Sequence, residues 1–196
     1  ETIPEKLDPF DFFTFEHSKM EFYVVGTDVS NACPVYHRYE QGENSILEWI
    51  RASSAMPMAA NPVTIGDVTM LDGGVSDPIP LSYFRSIGYQ KNVVVMTQPR
   101  SYRKKAERIP AAAGRGIRKY PEIMKALEVQ AERYNQLREE LFARENKGDL
   151  LLIYPSLALP IHRITHNPDK IMNTYNEGRK AATKKLDEIS QFLFSA

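Results

Sequence analysis

Residues 68–74 read Val68-Thr69-Met70-Leu71-Asp72-Gly73-Gly74. A short run rich in β-formers ends in a carboxylate, and two glycines follow at once. Val68 is β-branched and so is Thr69, which makes the run a strand. Before it, Gly66-Asp67 separates Val68 from a second short run at 63–65, the signal of a tight hairpin in its less usual residue order. A carboxylate at the C-terminal end of a strand points into the crevice where open α/β sheets place their ligands. The glycines let the backbone take positive φ and leave space beside the carboxylate. Asp72 is therefore the residue to single out. The plain alternative is an ordinary Asp-Gly turn, a common form of punctuation.

Working outward, residues 22–27 read as a strand and 35–39 as another, paired through a polar turn around Asn31. The acidic, aromatic first 18 residues form an irregular lead-in. Residues 44–55 predict a helix, capped by Asn44 or Ser45, with Ile46, Trp49, Ile50 and Ser53 on one face and Pro57 just past its end. Residues 80–87 predict a short helix closed by Gly88. Residues 92–97 hold four apolar residues in succession, as in a strand covered on both faces. A long helix follows over 121–146, with Met124, Leu127, Ala131, Tyr134, Leu137 and Leu141 along one stripe. Residues 150–154 are the next strand. Residues 169–194 read as one last helix, striped by Ile171, Tyr175, Gly178, Ala182, Leu186, Ile189 and Leu193. This alternation predicts an α/β architecture with parallel strands in the second half.

The composition narrows the function. Of 196 residues, 25 are Lys or Arg and 25 are Asp or Glu. A net charge of zero argues against a general nucleic-acid partner, which would need a positive field. The single cysteine, Cys33, excludes an intrachain disulfide and a cysteine-built zinc site, and it fits a reducing, cytoplasmic setting. No apolar run approaches the roughly 18 residues of a spanning helix. The start, Glu1-Thr2-Ile3-Pro4, is no signal peptide. It reads as a processing boundary, with upstream sequence expected.

Other candidate chemistry is sparse. The nucleophile elbow G-x-S-x-G does not occur; Gly74-Val75-Ser76-Asp77-Pro78 fails at its last position. Ser53 and Ser54 end a helix, where serines usually satisfy backbone groups. Of His17, His37, His162 and His166, only the last two have a spacing suited to a metal. Pro160 and Pro168 bracket them in a loop, so no metal is expected. Gly114-Arg115-Gly116 is too short for a phosphate cradle. The segment 100–119 carries Arg100, Arg103, Lys104, Lys105, Arg108, Arg115, Arg118 and Lys119 against one acid, Glu107. Interleaved Tyr102, Ile109 and Ile117 add apolar contacts. Such a segment is attracted to anionic lipid by roughly 1 kcal/mol per basic group, or is a solvated loop balanced by acids elsewhere.

Several blocks carry a resemblance. They are Val24-Val25-Gly26-Thr27-Asp28, Ile50-Arg51-Ala52-Ser53-Ser54-Ala55-Met56-Pro57, and Leu71-Asp72-Gly73-Gly74-Val75-Ser76-Asp77-Pro78-Ile79-Pro80. Val93-Val94-Val95-Met96-Thr97-Gln98-Pro99 follows, then Tyr102-Arg103-Lys104-Lys105. Together they resemble the second half of a patatin-like phospholipase domain, in its bacterial branch. The resemblance implies the C-terminal part of a three-layer α/β/α domain with a mostly parallel sheet. On this reading residues 1–196 are one portion of a single domain. The strongest match lies at 22–103, a basic connection at 104–120, and a helix-strand-helix at 121–196.

The resemblance also implies a serine-type lipid acyl hydrolase with a Ser–Asp dyad, no catalytic histidine and no cofactor. Asp72 would accept the nucleophile's proton, with Gly73 and Gly74 allowing close approach. In this family the oxyanion loop and the elbow precede the matched region. The chain is therefore expected to carry the base without the nucleophile and to be inactive alone. One oxyanion donor is worth roughly 100- to 1000-fold in rate. The implied partners are a lipid or ester substrate and an anionic membrane met peripherally, with Arg103, Lys104 and Lys105 near the headgroups. The exposed sheet at 93–96 would drive self-association or be covered by the upstream half of the domain. The alternative is a non-catalytic lipid-binding or interaction module on the same scaffold.

Overall fold

The computed structural model describes residues 6–106, 116–162 and 165–194. Glu107, Arg108, Ile109, Gly114 and Arg115 of the basic segment lie outside the described residues. The chain divides into two compact units, one of residues 6–80, 106 and 116–131, the other of 81–105 and 132–194.

In the first unit, β1 (Tyr23–Asp28), β2 (Pro34–Arg38), β3 (Val63–Ile65) and β4 (Val68–Asp72) form one sheet in the order β2-β1-β4-β3. All three pairings are antiparallel. This corrects the expectation of a mostly parallel sheet. For the β1–β2 and β3–β4 pairs the physical reason is loop length. Parallel neighbours need a crossover of a dozen or more residues, and the β1–β2 and β3–β4 links are far shorter. The Asp28 carboxylate holds the first link, accepting hydrogen bonds from the Ser30 N–H at 2.8 Å and the Asn31 side-chain amide at 3.1 Å. In the second, Gly66 has φ +57° while Asp67 does not cross to positive φ. That is a type II′ turn, which explains the order Gly-Asp.

Helix α2 (Ile46–Ser53) packs on this sheet. Ala52, Ala55, Val63, Met70, Leu71 and Val75 form its core with Ile117, Ile123 and Ala126. Of the expected stripe, Ile46 is buried and Trp49 packs against the core, but Ile50 is exposed. Ser45 occupies the N-cap position without capping; its hydroxyl donates to the Glu43 carboxylate instead. The lead-in contains one short helix, α1 (Phe12–Glu16), capped by the Asp11 carboxylate.

In the second unit, β5 (Asn92–Val95) and β6 (Leu150–Ile153) pair in parallel, as the sequence predicts. All four β6 residues are buried. β5 was expected to be covered on both faces and is not: Val95 is 71% exposed. Among the described residues β5 has β6 as its one strand neighbour. Helix α3 (Leu81–Ser86) ends before Gly88, at φ +107°.

Helix α4 spans Pro121–Asn146 as predicted. Its buried positions are Ile123, Ala126, Ala131, Arg138, Leu141 and Phe142. Ala131 and Leu141 of the stripe read in sequence are buried and Met124 and Leu127 pack against the core, but the seam draws Arg138 inside where Leu137 was expected. The last helix is two: α5 (Pro168–Thr183), capped by Asn167, and α6 (Leu186–Phe194). Neither helix has a buried residue. Ile171, Tyr175 and Leu186 of the expected inner stripe are more than half-exposed or close to it. Among the described residues no helix is long and apolar enough to cross a membrane.

Candidate functional site

Asp72 closes β4 and stands opposite Gly26 of β1 in the ladder. Its backbone N–H donates to the Ala55 carbonyl at 3.0 Å, tying the strand end to the segment after α2. Past it the chain makes a single 3-10 turn, Gly73–Val75. Asp72 caps this turn: its Oδ1 accepts the Gly74 N–H at 2.8 Å. Oδ2 has no hydrogen bond among the described residues, so one carboxylate oxygen is fixed and the other remains an acceptor.

The glycines serve space rather than left-handed backbone. Neither Gly73 nor Gly74 has positive φ, which corrects half of the sequence argument. The other half is sharpened. A Cβ at Gly73 would lie 2.3 Å from the Val25 carbonyl oxygen. Only a residue without a side chain lets the turn lie this close to β1. The Gly74 carbonyl accepts the Gln130 side-chain amide of α4 at 2.8 Å.

Asp72 lines an open cleft of about 430 Å³. Asp77, Ser53 and Ser54 add polar lining; Phe22 and Ile50 add apolar lining. The exposure of Ile50 thus has a place in the site. Asp77 is already engaged, since the Tyr36 hydroxyl donates to its Oδ2 at 2.6 Å. The Ser54 hydroxyl donates to the Ile50 carbonyl at 2.8 Å, the backbone role expected of it. Ser53 makes no side-chain hydrogen bond among the described residues. Sequence reading did not place Ile50 here, nor Tyr36 beside Asp77. The one available signal for Asp77 was its presence in the block that follows Asp72.

No histidine lines this cleft. His37 lies 2.8 Å from the Glu43 carboxylate and stacks on Trp49 at a centroid distance of 4.0 Å. Burial pushes the Glu43 carboxyl up, but the Ser45 hydroxyl and the His37 ring outweigh it and hold it below its ordinary value. His162 and His166 are exposed in the loop between Pro160 and Pro168. Among the described residues no group of three or more His, Cys, Asp or Glu could hold a metal ion.

The basic candidates belong to the second unit, where α4 engages two of them. Arg103 pairs with Glu139 at 2.8 Å. The Lys104 backbone is clamped by the Asn135 side chain, accepting and donating at 2.8 and 2.9 Å, and its ammonium sits over the Tyr134 ring. Lys105 is exposed. The same segment supplies the carbonyls that receive Arg138. Its Nη2 donates to Pro99 O at 2.6 Å, and its guanidinium lies near the Tyr102, Tyr134 and Phe142 rings.

The cleft thus presents a carboxylate at a strand end with one oxygen held by a backbone N–H. Residues 6–85 match the family model described as Patatin-like phospholipase. The match supports a relationship to lipid acyl hydrolases. Residues 120–194 match a model described as Domain of unknown function (DUF6363). No curated protein matches the chain.

Proposed function

We propose that this chain supplies the aspartate of a Ser–Asp dyad to a carboxylic ester hydrolase acting on phospholipids, lysophospholipids or related esters. The observation that carries the reading is Asp72: Oδ1 is held by the Gly74 N–H, and Oδ2 has no hydrogen bond among the described residues. A serine on a segment N-terminal to Glu1 attacks the ester carbonyl, and its proton passes to Asp72. The tetrahedral intermediate expels the alcohol, which takes that proton. Water then hydrolyses the acyl-serine with Asp72 again as base. Gly73 and Gly74 let the turn stand close to the reacting groups. Alone, the chain turns over no ester. Arg103, Lys104 and Lys105 offer positive charge to an anionic membrane met from the cytoplasmic side. The exposed end of β5 at Val95 favours self-association, or cover by the upstream half of the domain.

A second reading, a non-catalytic lipid-binding or interaction module, draws on the apolar residues that α5 and α6 leave exposed. Fluorophosphonate labelling separates the two. Applied to this chain and to a polypeptide extended upstream, it should label a serine upstream of Glu1 and leave this chain unmarked. Asp72→Asn should abolish turnover in the extended protein. An adduct on Ser53, Ser54 or Ser76 would overturn the nucleophile assignment. No adduct on either protein would favour the module.

A further inference from the structure

Three polar side chains are buried among the described residues: Thr27, Ser76 and Arg138. Two of them meet behind Asp72. The Thr27 hydroxyl donates to the Asp72 carbonyl at 2.8 Å, and its oxygen lies 2.8 Å from the Ser76 hydroxyl. Thr27 has one hydroxyl hydrogen, and the Asp72 carbonyl takes it. The Ser76 hydroxyl then donates to Thr27 at 2.8 Å in preference to the Gly73 carbonyl, which lies farther off at 3.5 Å. The result is a directed chain, Ser76 O–H to Thr27 O–H to Asp72 C=O, in which each bond polarises the next.

We propose that Thr27 and Ser76 are positioning residues for the Asp72 carboxylate, a role that rests on the dyad reading above. The target of the chain is the carbonyl of Asp72 itself. Holding that carbonyl sets the plane of the Asp72–Gly73 peptide. With it are set the direction of the Asp72 side chain and the place of the Gly74 N–H that grips Oδ1. Two further contacts close the frame: the Gly73 α-carbon against the Val25 carbonyl, and Gln130 on the Gly74 carbonyl. If packing were the sole requirement, valine would serve at position 27, since it has the shape of threonine without the hydrogen-bonding hydroxyl. A base that shares a proton with a nucleophile needs placement finer than about 0.5 Å. A misplacement of about 1 Å costs on the order of 100-fold.

The test compares Thr27→Val, Thr27→Ser and Ser76→Ala with Asp72→Asn. In the upstream-extended protein, Thr27→Val should lower kcat for a soluble ester by roughly 10- to 100-fold with KM nearly unchanged. Thr27→Ser, which restores the donor, should recover most of the loss. In this chain, exchange of the Gly74 amide followed by NMR should speed up by about tenfold or more in Thr27→Val. It should return towards wild type in Thr27→Ser, with β1–β2 ladder amides unchanged throughout. Ser76→Ala should act in the same direction and more weakly, and it serves in place of Thr27→Val if that variant does not fold. Wild-type kcat and Gly74 exchange in Thr27→Val, with Asp72→Asn inactive, would overturn the positioning role and leave the dyad standing. An active Asp72→Asn would overturn the dyad; the Gly74 exchange would then still decide whether Thr27 holds the turn.

Discussion

Gly73→Ala isolates one steric fact of the site. The added Cβ would lie 2.3 Å from the Val25 carbonyl oxygen, 2.7 Å from its carbon and 3.0 Å from the Val25 Cβ. Taking 3.0 Å as the closest approach a real Cβ shows, the oxygen contact is short by 3.0 − 2.3 = 0.7 Å. No flexible side chain can yield here, because the obstacle is the backbone of β1, paired on both sides by β2 and β4. Either the Asp72–Gly73 turn lifts off the strand or β1 bends away from β4. Overpacking of this kind costs about 1–3 kcal/mol or more. For a chain of this size each kcal/mol is worth about 2–4 °C in melting temperature. A loss at the upper end, about 3 kcal/mol, is therefore a fall of roughly 6–12 °C. Gly74→Ala is the control. Its Cβ would meet Asp72 Oδ1 at 3.1 Å and Pro78 Cβ at 4.0 Å, so it disturbs the carboxylate and leaves β1 alone. Thermal unfolding followed by circular dichroism should rank Gly73→Ala well below Gly74→Ala. A Gly73→Ala protein that melts with wild type would refute the claim that space is what this glycine provides.

Three further outcomes are expected. The Glu43 carboxyl is held below its ordinary value of 4.5, so the unfolded chain binds that proton more readily than the folded one. Its contribution is complete above about that value and is lost as pH falls through the folded value; Asp11, held low by the Thr14 N–H, has the same sign. Urea midpoints taken between about pH 6 and about pH 3 should fall more steeply in wild type than in Glu43→Gln, and parallel curves would sink the argument. Arg138 is fully buried, with Nη2 on the Pro99 carbonyl and three rings nearby. Arg138→Ala should cost about 2–5 kcal/mol in urea unfolding, and an unchanged midpoint would show the site collapses without loss. Val95→Lys places a charge on the exposed face of β5. Light scattering should show association in wild type and less in the variant, and a monodisperse wild-type monomer would remove the proposed role of β5.

Much of the local structure was legible because it is set by neighbours in the chain. The Gly66-Asp67 turn, the helix beginning at Pro121, the stop at Gly148 and the strand end at Asp72 follow from backbone preference and short-range hydrogen bonding. The errors share a cause. The alternation of strands and helices gave the parallel β5–β6 pair correctly; the mostly parallel sheet was implied by the resemblance, and periodicity cannot tell which strands become neighbours. On α4, hydropathy favoured Leu137 for the seam. Tertiary contact chose Arg138, because carbonyls of the 99–100 segment and three aromatic rings could receive a guanidinium. On α5 and α6 the apolar stripe was real, but whether a stripe is covered depends on what packs against it.

For the site the division is sharper. Asp72 with two glycines can be read from adjacent letters, since a strand end, a capping carboxylate and a tight turn are local. Sequence alone singled out Asp72 as the candidate and placed it at a strand end before a turn; the 3-10 form of that turn came from the structure. Tertiary structure decided that Ser53 and Asp77 share its cleft, that the Tyr36 hydroxyl engages Asp77, that Gly73 is needed against the Val25 carbonyl, and that Thr27 and Ser76 hold the Asp72 carbonyl from behind. Ser76 and Asp77 are near neighbours of Asp72, but Val25, Thr27, Tyr36 and Ser53 lie well away from it in the chain. Hydrogen bonds and steric exclusion act over a few ångströms of space, so they exist only once β1 and β4 have been laid side by side.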